Sequence, residues 1–286
     1  MTAATDLTVV GVAGGGTMGV GIVHRLLAAT DAEVVLVERD DAEAAAARDR
    51  VVGSLTRAAD RGYLDADVAA LLGRFTVAGD PAALADAGLV VEAVPEIPQL
   101  KADLLARIEA AVGADTVIGT NTSSLSIDGL AKVLHDPARF CGMHFFNPVP
   151  ASDLLELVRG AATSPDTMVA AAALGERLGL TTIEVGDAPG FATSRLGVAL
   201  GLEAIRMVQD GVASAEDIDT ALRLGYKHPI GPLRLTDLVG LDVRLGIAEY
   251  LATELGPRFE PPQLLRDLVA AGKLGKKTGQ GFFTWE

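Results

Sequence analysis

Short apolar segments alternate with longer segments of helical character through the first two thirds of this 286-residue chain. Apolar segments of this kind, bounded by glycine, proline and polar residues, are typical of buried strands. We predict strands at residues 7–12, 34–37, 74–78, 88–92, 116–119, 140–146, 154–158 and 181–185. Helices are predicted between several of these strands, including 20–29, 101–112 and 168–178. The alternation favours an α/β fold in which a doubly wound, mostly parallel sheet carries helices on both faces.

The connection between the second and third predicted strands is much longer than a crossover requires. Residues 41–72 have helical character almost throughout, whereas a crossover needs only about 10–12 residues. We therefore predict a projecting helical arm, broken near Arg61 and Gly62.

Strand-like segments nearly vanish beyond the glycine and proline cluster at residues 186–190. Apolar residues at helical spacing predict helices over 191–210, 236–254 and 261–272. Ser214, followed three residues later by Asp217, resembles a capping box that opens another helix. We predict two domains, a Rossmann-like domain at residues 1–186 and an all-α domain at 187–286.

The composition and charge of the chain disfavour some classes of binding partner. The formal net charge of −14 disfavours binding to nucleic acid or to an anionic membrane. No apolar segment approaches the ~20 residues of a membrane span, and residues 1–6 lack the basic region of a signal peptide. The single cysteine, Cys141, allows no intrachain disulfide and lies in an apolar segment typical of a buried, inert thiol. We expect a cytoplasmic protein and no metal site.

The first predicted strand ends in the pattern Gly14-x-Gly16-x-x-Gly19, a helical segment follows, and the second strand ends at Glu38. In a dinucleotide site these glycines allow a tight turn, close approach of the pyrophosphate and close packing of helix on strand. The acid accepts hydrogen bonds from the adenosine ribose. We expect cofactor contacts from Gly14, Gly16, Thr17, Met18, Gly19 and Glu38. The alternative is a glycine-rich turn without a ligand.

Glu38 also bears on the choice of cofactor. Its carboxylate repels a 2′-phosphate and favours NAD, whereas the adjacent Arg39 could attract that phosphate. We expect NAD, with NADP as the alternative.

Among the four histidines, His144 has the sequence context of a catalytic base. It ends an apolar strand, a turn near Pro150 follows, and Glu156 lies in the next strand, as far beyond that turn as His144 lies before it. In an antiparallel pair the two residues would be directly opposed on one face. Glu156 could then fix the imidazole tautomer and stabilise the imidazolium. The alternative is a buried structural ion pair.

The segment Asn121-Thr122-Ser123-Ser124 follows the predicted strand 116–119. It therefore lies at the carboxyl end of a strand, where open α/β sheets bind ligands. Its amide and hydroxyl groups suit a nicotinamide ribose or a substrate hydroxyl, although an ordinary loop and helix cap has the same composition.

Taken together, these motifs resemble the L-3-hydroxyacyl-CoA dehydrogenase family, particularly its short-chain 3-hydroxybutyryl-CoA members. The matching segments follow the family's order along nearly the whole chain: 14–19, 90–94, 121–124, 142–148, 187–191 and 274–283. The resemblance implies oxidation of a 3-hydroxyacyl thioester to the 3-oxoacyl form with reduction of NAD. It also implies a homodimer joined through the C-terminal domain.

The resemblance further implies roles for individual residues. His144 matches the general base, Glu156 its partner acid, and Ser123 the serine that hydrogen-bonds the substrate. Asn121, Glu96 and Lys101 match positions that contact the cofactor; without the resemblance, the last two would be interpreted as a solvated helix start. Ser54 and Arg61 fall near the positions where the helical arm holds CoA, and a solvated role for Arg61 stays open.

The chain departs from the family's pattern at Ser194, where members commonly carry an asparagine that positions the substrate. A serine is shorter and cannot reproduce the reach of the amide. Asp153 also replaces a common lysine close to Glu156, which makes the local field more negative. A relative acting on a carrier-protein-bound hydroxyacyl group, or on another short hydroxy acid, is therefore an alternative. A non-catalytic, crystallin-like protein or dinucleotide sensor is the alternative from a different class.

Overall fold

The computed structural model describes residues 7–285 and divides into two compact units between Asp187 and Ala188. The expectation about a signal peptide at residues 1–6 lies outside the described residues. None of the helices in the described part of the chain has the length and apolar character needed to cross a membrane.

The first unit is built on one eight-stranded sheet. Its strands are β1 (Val9–Ala13), β2 (Glu33–Val37), β3 (Phe75–Ala78), β4 (Leu89–Glu92), β5 (Val117–Thr120), β6 (Phe140–Phe145), β7 (Leu154–Arg159) and β8 (Thr181–Gly186). Their spatial order is β3-β2-β1-β4-β5-β6-β7-β8, and only the β6–β7 pair is antiparallel. Each predicted strand is present, and the mostly parallel α/β sheet is confirmed.

Within the described residues, six α-helices accompany this sheet: α1 (Thr17–Ala29), α2 (Asp41–Asp60), α3 (Val68–Leu72), α4 (Pro98–Ala111), α5 (Ile127–Ala131) and α6 (Pro165–Arg177). The predicted arm consists of α2 and α3. The side chain of Asp40 caps α2 by accepting a hydrogen bond from Glu43 N. Ala44, Ala47, Val51 and Leu55 form a buried stripe along α2. One face of α2 therefore packs on the core, and the helix ends at Asp60 with Arg61 as its C-cap, where the break was predicted.

The second unit, as far as residue 285, contains five α-helices: α7 (Thr193–Gln209), α8 (Ala215–Gly225), α9 (Pro232–Val239), α10 (Leu241–Leu255) and α11 (Gln263–Ala270). Ser214 caps α8 through a hydrogen bond from Asp217 N, as predicted. The prediction of one continuous helix over 236–254 is wrong. Gly240 has φ +103, a conformation that glycine adopts without strain, and it separates α9 from α10.

The sheet topology determines where a ligand can bind in the first unit. Strand β1 lies between β2 and β4, so the connections that leave β1 and β4 run toward opposite faces of the sheet. The carboxyl ends of β1, β2, β4, β5 and β6 all lie at one edge, because these strands are mutually parallel. The crevice at such a switch point is where open α/β sheets bind ligands.

Candidate active site

The loop after β1 has the backbone geometry of a phosphate-binding turn. Gly14 has φ +109, and a Cβ on Gly19 would lie 1.7 Å from the carbonyl oxygen of Gly14. A Cβ on Gly16, in contrast, would meet no atom within 4 Å. Helix α1 begins at Thr17 without an acidic side chain in its first turn, so its N-terminal positive charge is not neutralised there. These residues fit the pyrophosphate of a dinucleotide.

Replacement of Gly19 by alanine is expected to weaken NADH binding roughly ten- to hundredfold, because the new methyl group displaces the Gly14 carbonyl. Gly246→Ala is the matched control, since Gly246 is also helical and a Cβ there would meet nothing within 4 Å. Fluorescence titration with NADH measures both variants. Unchanged affinity in Gly19→Ala would remove this turn from the cofactor site.

Glu38 follows β2 and faces the glycine loop. Its Oε1 accepts a hydrogen bond from Gly15 N at 2.6 Å. The neighbouring Arg39 donates to Glu43 Oε1 at 2.7 Å, and its Nε lies 3.4 Å from Asp40. Two carboxylates therefore already engage the Arg39 guanidinium, which makes it less available to the 2′-phosphate of NADP. This arrangement favours NAD.

His144 and Glu156 are directly opposed across the antiparallel β6–β7 pair, as predicted. The imidazole Nδ1 lies 2.8 Å from Glu156 Oε2, and both side chains are buried. The ring of Phe146 lies against the imidazole, with 4.4 Å between the ring centroids. The carboxylate therefore fixes the orientation of the ring.

Asn121 connects the end of β5 to the strand that carries the histidine. Its Oδ1 accepts a hydrogen bond from Phe145 N at 2.8 Å, one residue beyond His144. The loop with Ser123 therefore begins beside the His144–Glu156 pair, at the same edge of the sheet.

Glu96 organises the loop after β5. Its Oε1 accepts hydrogen bonds from Thr122 Oγ1 at 2.6 Å and from Ser123 N at 2.9 Å. The same oxygen also accepts hydrogen bonds from the backbone N and from Oγ of Ser124. Burial by itself raises the pKa of Glu96, but the Lys101 ammonium and these hydrogen bonds outweigh it, so the pKa is lowered. Glu96 is therefore an anion that holds the backbone and hydroxyl groups of this loop in place.

Lys101 is completely buried, so the interpretation as a solvated helix residue is wrong for this position. Its Nζ donates to Glu92 Oε1 at 2.8 Å and to Val94 O at 3.1 Å, and lies 3.5 Å from Glu96 Oε2. Glu92, also completely buried, accepts another hydrogen bond from Thr120 Oγ1 at 2.6 Å. These oxygens enclose the ammonium, so Lys101 stabilises the carboxylates of Glu92 and Glu96, and its contact with the cofactor stays a prediction.

The remaining predicted residues lie outside this group of contacts. Ser54 Oγ is 2.8 Å from His24 Nδ1, so this hydroxyl joins α2 to α1. Arg61 is exposed at the end of α2, and Ser194 is half-buried in the first turn of α7. Thr17 is exposed and Met18 half-buried at the start of α1.

Sequence reasoning missed Glu92 as part of the site. The signal was present, since Glu92 ends an apolar strand just as Glu156 interrupts one. A buried acid requires a partner, but its partner Lys101 lies on a helix whose sequence shows no sign of burial.

The glycine turn at the switch point, with a buried histidine–glutamate pair at the same edge of the sheet, defines a nicotinamide-dependent dehydrogenase. Comparison with known proteins narrows this class. Residues 9–188 match the NAD-binding domain of 3-hydroxyacyl-CoA dehydrogenase, and residues 190–285 match its C-terminal domain. The chain belongs to the 3-hydroxyacyl-CoA dehydrogenase family, which confirms the resemblance seen in the sequence and the expectation of NAD.

Similar proteins cover almost the whole chain. A probable 3-hydroxybutyryl-CoA dehydrogenase of Bacillus subtilis is 39% identical over 279 residues, which are 96% of each chain. The 3-hydroxybutyryl-CoA dehydrogenase of Mycobacterium tuberculosis is 42% identical over 284 residues, covering 96% of this chain and 98% of that protein. The crystal structure of (S)-3-hydroxybutyryl-CoA dehydrogenase from Ralstonia eutropha has a TM-score of 0.92 at 41% identity, covering 98% and 100% of the two chains.

Proposed function

We propose that the protein oxidises a short-chain L-3-hydroxyacyl-CoA, 3-hydroxybutyryl-CoA first among them, to the 3-oxoacyl-CoA with reduction of NAD, and also catalyses the reverse reaction. The observation that carries this proposal is the 2.8 Å contact between His144 Nδ1 and Glu156 Oε2, at the edge of the sheet that also holds the glycine turn. We take the proposed substrate from the names of the similar proteins, which are 3-hydroxybutyryl-CoA dehydrogenases.

In the proposed oxidation, Nε2 of His144 accepts the proton of the 3-hydroxyl group. The carbon–hydrogen bond at the same carbon breaks with its electron pair, and the carbonyl forms. Bound NAD supplies the acceptor for that hydride. Glu156 accepts a hydrogen bond from Nδ1–H, which fixes the tautomer in which Nε2 carries the lone pair, and the carboxylate stabilises the imidazolium formed when Nε2 takes the proton. In the reduction, His144 returns the proton to the forming alkoxide.

The other polar residues position the reactants. We assign the Ser123 hydroxyl to the oxygen of the reacting carbon, Asn121 to the nicotinamide end of the cofactor, and Ser194 to the acyl thioester. Glu96 keeps Ser123 in place through its backbone and hydroxyl contacts. We also assign the exposed Arg61 to the CoA phosphates, with Ser54 on the same arm.

Reduction of acetoacetyl-CoA, followed by the loss of NADH absorbance, tests this proposal. We expect efficient turnover, and slower turnover of acetoacetyl groups bound to acyl carrier protein. NADPH should be a poor replacement for NADH, because Glu43 and Asp40 engage Arg39. Turnover of the carrier-bound substrate alone would support the carrier-protein alternative. NADH binding without turnover of either substrate would support a non-catalytic sensor or crystallin-like protein.

We also propose a cytoplasmic homodimer joined through the second unit. Helix α7 exposes Leu196 and Leu200, with 71% and 36% of their surfaces accessible. A concave region of about 530 Å³ lies at Leu196, and its lining combines apolar side chains such as Ala199 and Phe259 with charged ones such as Arg195 and Glu203. Apolar surface of this kind favours association. Sedimentation equilibrium should give twice the mass of one chain, and a monomer at micromolar concentration would contradict this proposal.

A further inference from the structure

Arg50, on α2, contacts the glycine turn that follows β1. Its Nε donates a hydrogen bond to the carbonyl oxygen of Gly15 at 2.9 Å. Ala47, one helical turn before Arg50, also lies against this residue, since a Cβ on Gly15 would come within 2.4 Å of Ala47 Cβ. The helix that begins the arm therefore packs directly on the turn that fits the pyrophosphate.

The backbone of Gly15 is held on both sides by charged side chains. Its N–H donates to Glu38 Oε1 at 2.6 Å, and its carbonyl oxygen accepts the hydrogen bond from Arg50. The side chain of Arg50 is 44% exposed, and its Nη2 lies 3.9 Å from Glu43 Oε2. Because Glu43 is on the same helix, α2 supplies both the guanidinium and a carboxylate that keeps it beside the turn.

The contact with Arg50 sets the direction of the next N–H group in the turn. In a planar trans peptide the carbonyl and the N–H point in opposite directions, so the N–H of Gly16 points away from the guanidinium. None of the described residues accepts a hydrogen bond from Gly16 N, and a Cβ on Gly16 would meet no atom within 4 Å. An unused donor therefore remains beside open space at the start of α1, where an anion is favoured.

We propose that Arg50 is a positioning residue of the cofactor site, which fixes the Gly15–Gly16 peptide so that Gly16 N–H can donate to the pyrophosphate of NAD. Without this contact two adjacent glycines leave the peptide free to rotate, and binding then includes the cost of ordering the turn. Arg50 acts through the hydrogen bond that it donates rather than through its charge. The proposal concerns the cofactor and does not depend on which acyl group the protein oxidises.

Three substitutions of Arg50 test this proposal. Arg50→Met removes the donor and should weaken the binding of NADH and of ADP about tenfold, whereas adenosine, which has no phosphates, should bind as it does to the wild type. Arg50→Gln places an N–H donor where Nε was but carries no charge, so it should retain most of the affinity. Arg50→Asn is one methylene shorter than Arg50→Gln and should behave like Arg50→Met. Fluorescence titration measures the affinity for NADH, and displacement of NADH measures those for ADP and adenosine.

Arg48→Met is the matched control, because Arg48 is on the same helix and donates to the carbonyl oxygen of Phe75, at the start of β3 and so at the opposite end of the strands from the turn. It should bind all three ligands as the wild type does. Unchanged ADP affinity in Arg50→Met would overturn the proposal. Equal losses for ADP and adenosine would also overturn it, because Arg50 would then serve the fold. Equal losses in Arg50→Met and Arg50→Gln would overturn it as well, by assigning the charge of Arg50 to the phosphates directly. If Arg50→Met does not fold, the comparison of Arg50→Asn with Arg50→Gln decides.

Discussion

Replacement of His144 by glutamine is expected to slow the reduction of acetoacetyl-CoA by ~10²–10⁴-fold, the usual contribution of a positioned general acid or base. Glutamine retains hydrogen-bonding groups near Glu156 but cannot carry the proton. NADH binding should persist, because the glycine turn after β1 and Glu38 lie on other strands of the sheet. Initial rates measured by NADH absorbance and affinities measured by NADH fluorescence separate the two effects.

The control for this substitution is His135→Gln, because His135 is exposed and lies in the loop between α5 and β6. It should retain full activity. Glu156→Gln should be intermediate, since the imidazole keeps a hydrogen-bond acceptor but loses the charge that stabilises its protonated form. An active His144→Gln variant would remove His144 from the proton transfer and leave the pair a structural ion pair.

Replacement of Lys101 by methionine is expected to destabilise the first unit by ~3–5 kcal/mol, because it leaves the carboxylate of Glu92 buried without its cation. The melting temperature should fall by roughly 10 °C in a unit of this size. Activity at temperatures below unfolding should fall as well, since Glu96 loses its ion pair and holds Ser123 less firmly. Thermal unfolding and kcat/KM for acetoacetyl-CoA measure these losses.

The double variant Glu92→Gln with Lys101→Met distinguishes the effect of charge from that of packing. The oxygen of the glutamine still accepts the hydrogen bond from Val94 N, and its NH2 group can donate to Thr120 Oγ1, so removing both charges together should restore much of the lost stability. Lys132→Met, at an exposed position, is the matched control. Equal destabilisation of the single and double variants would show that packing, and not an unpaired charge, accounts for the loss.

The strands of the first unit could be predicted because most of them are buried on both faces. A strand buried on both faces is an uninterrupted apolar segment between polar residues, as at Val34–Val37 and Leu89–Val91. The break between α9 and α10 could not be predicted, because Gly240 lies in a continuous pattern of apolar residues at helical spacing. Only its observed φ of +103 shows that the chain turns there.

The contacts of the candidate site also divide into those that the sequence predicts and those that it does not. The opposition of His144 and Glu156 follows from counting residues on either side of one short turn, so the sequence contains that information. The burial of Lys101 depends on Glu92 and Glu96, which belong to a strand end and a loop before its helix. No local sequence pattern shows which distant residues will form such ion pairs.

Deuterium transfer tests most directly whether the His144–Glu156 pair drives hydride transfer from a hydroxyacyl-CoA. The substrate is L-3-hydroxybutyryl-CoA deuterated at the carbon that bears the hydroxyl group, oxidised in the presence of NAD by wild type and by His144→Gln. We predict deuterated NADH and acetoacetyl-CoA from the wild type, and almost none from the variant under conditions where both bind the cofactor. No deuterium in the NADH formed by the wild type, or equal transfer by the two proteins, would contradict the proposed chemistry.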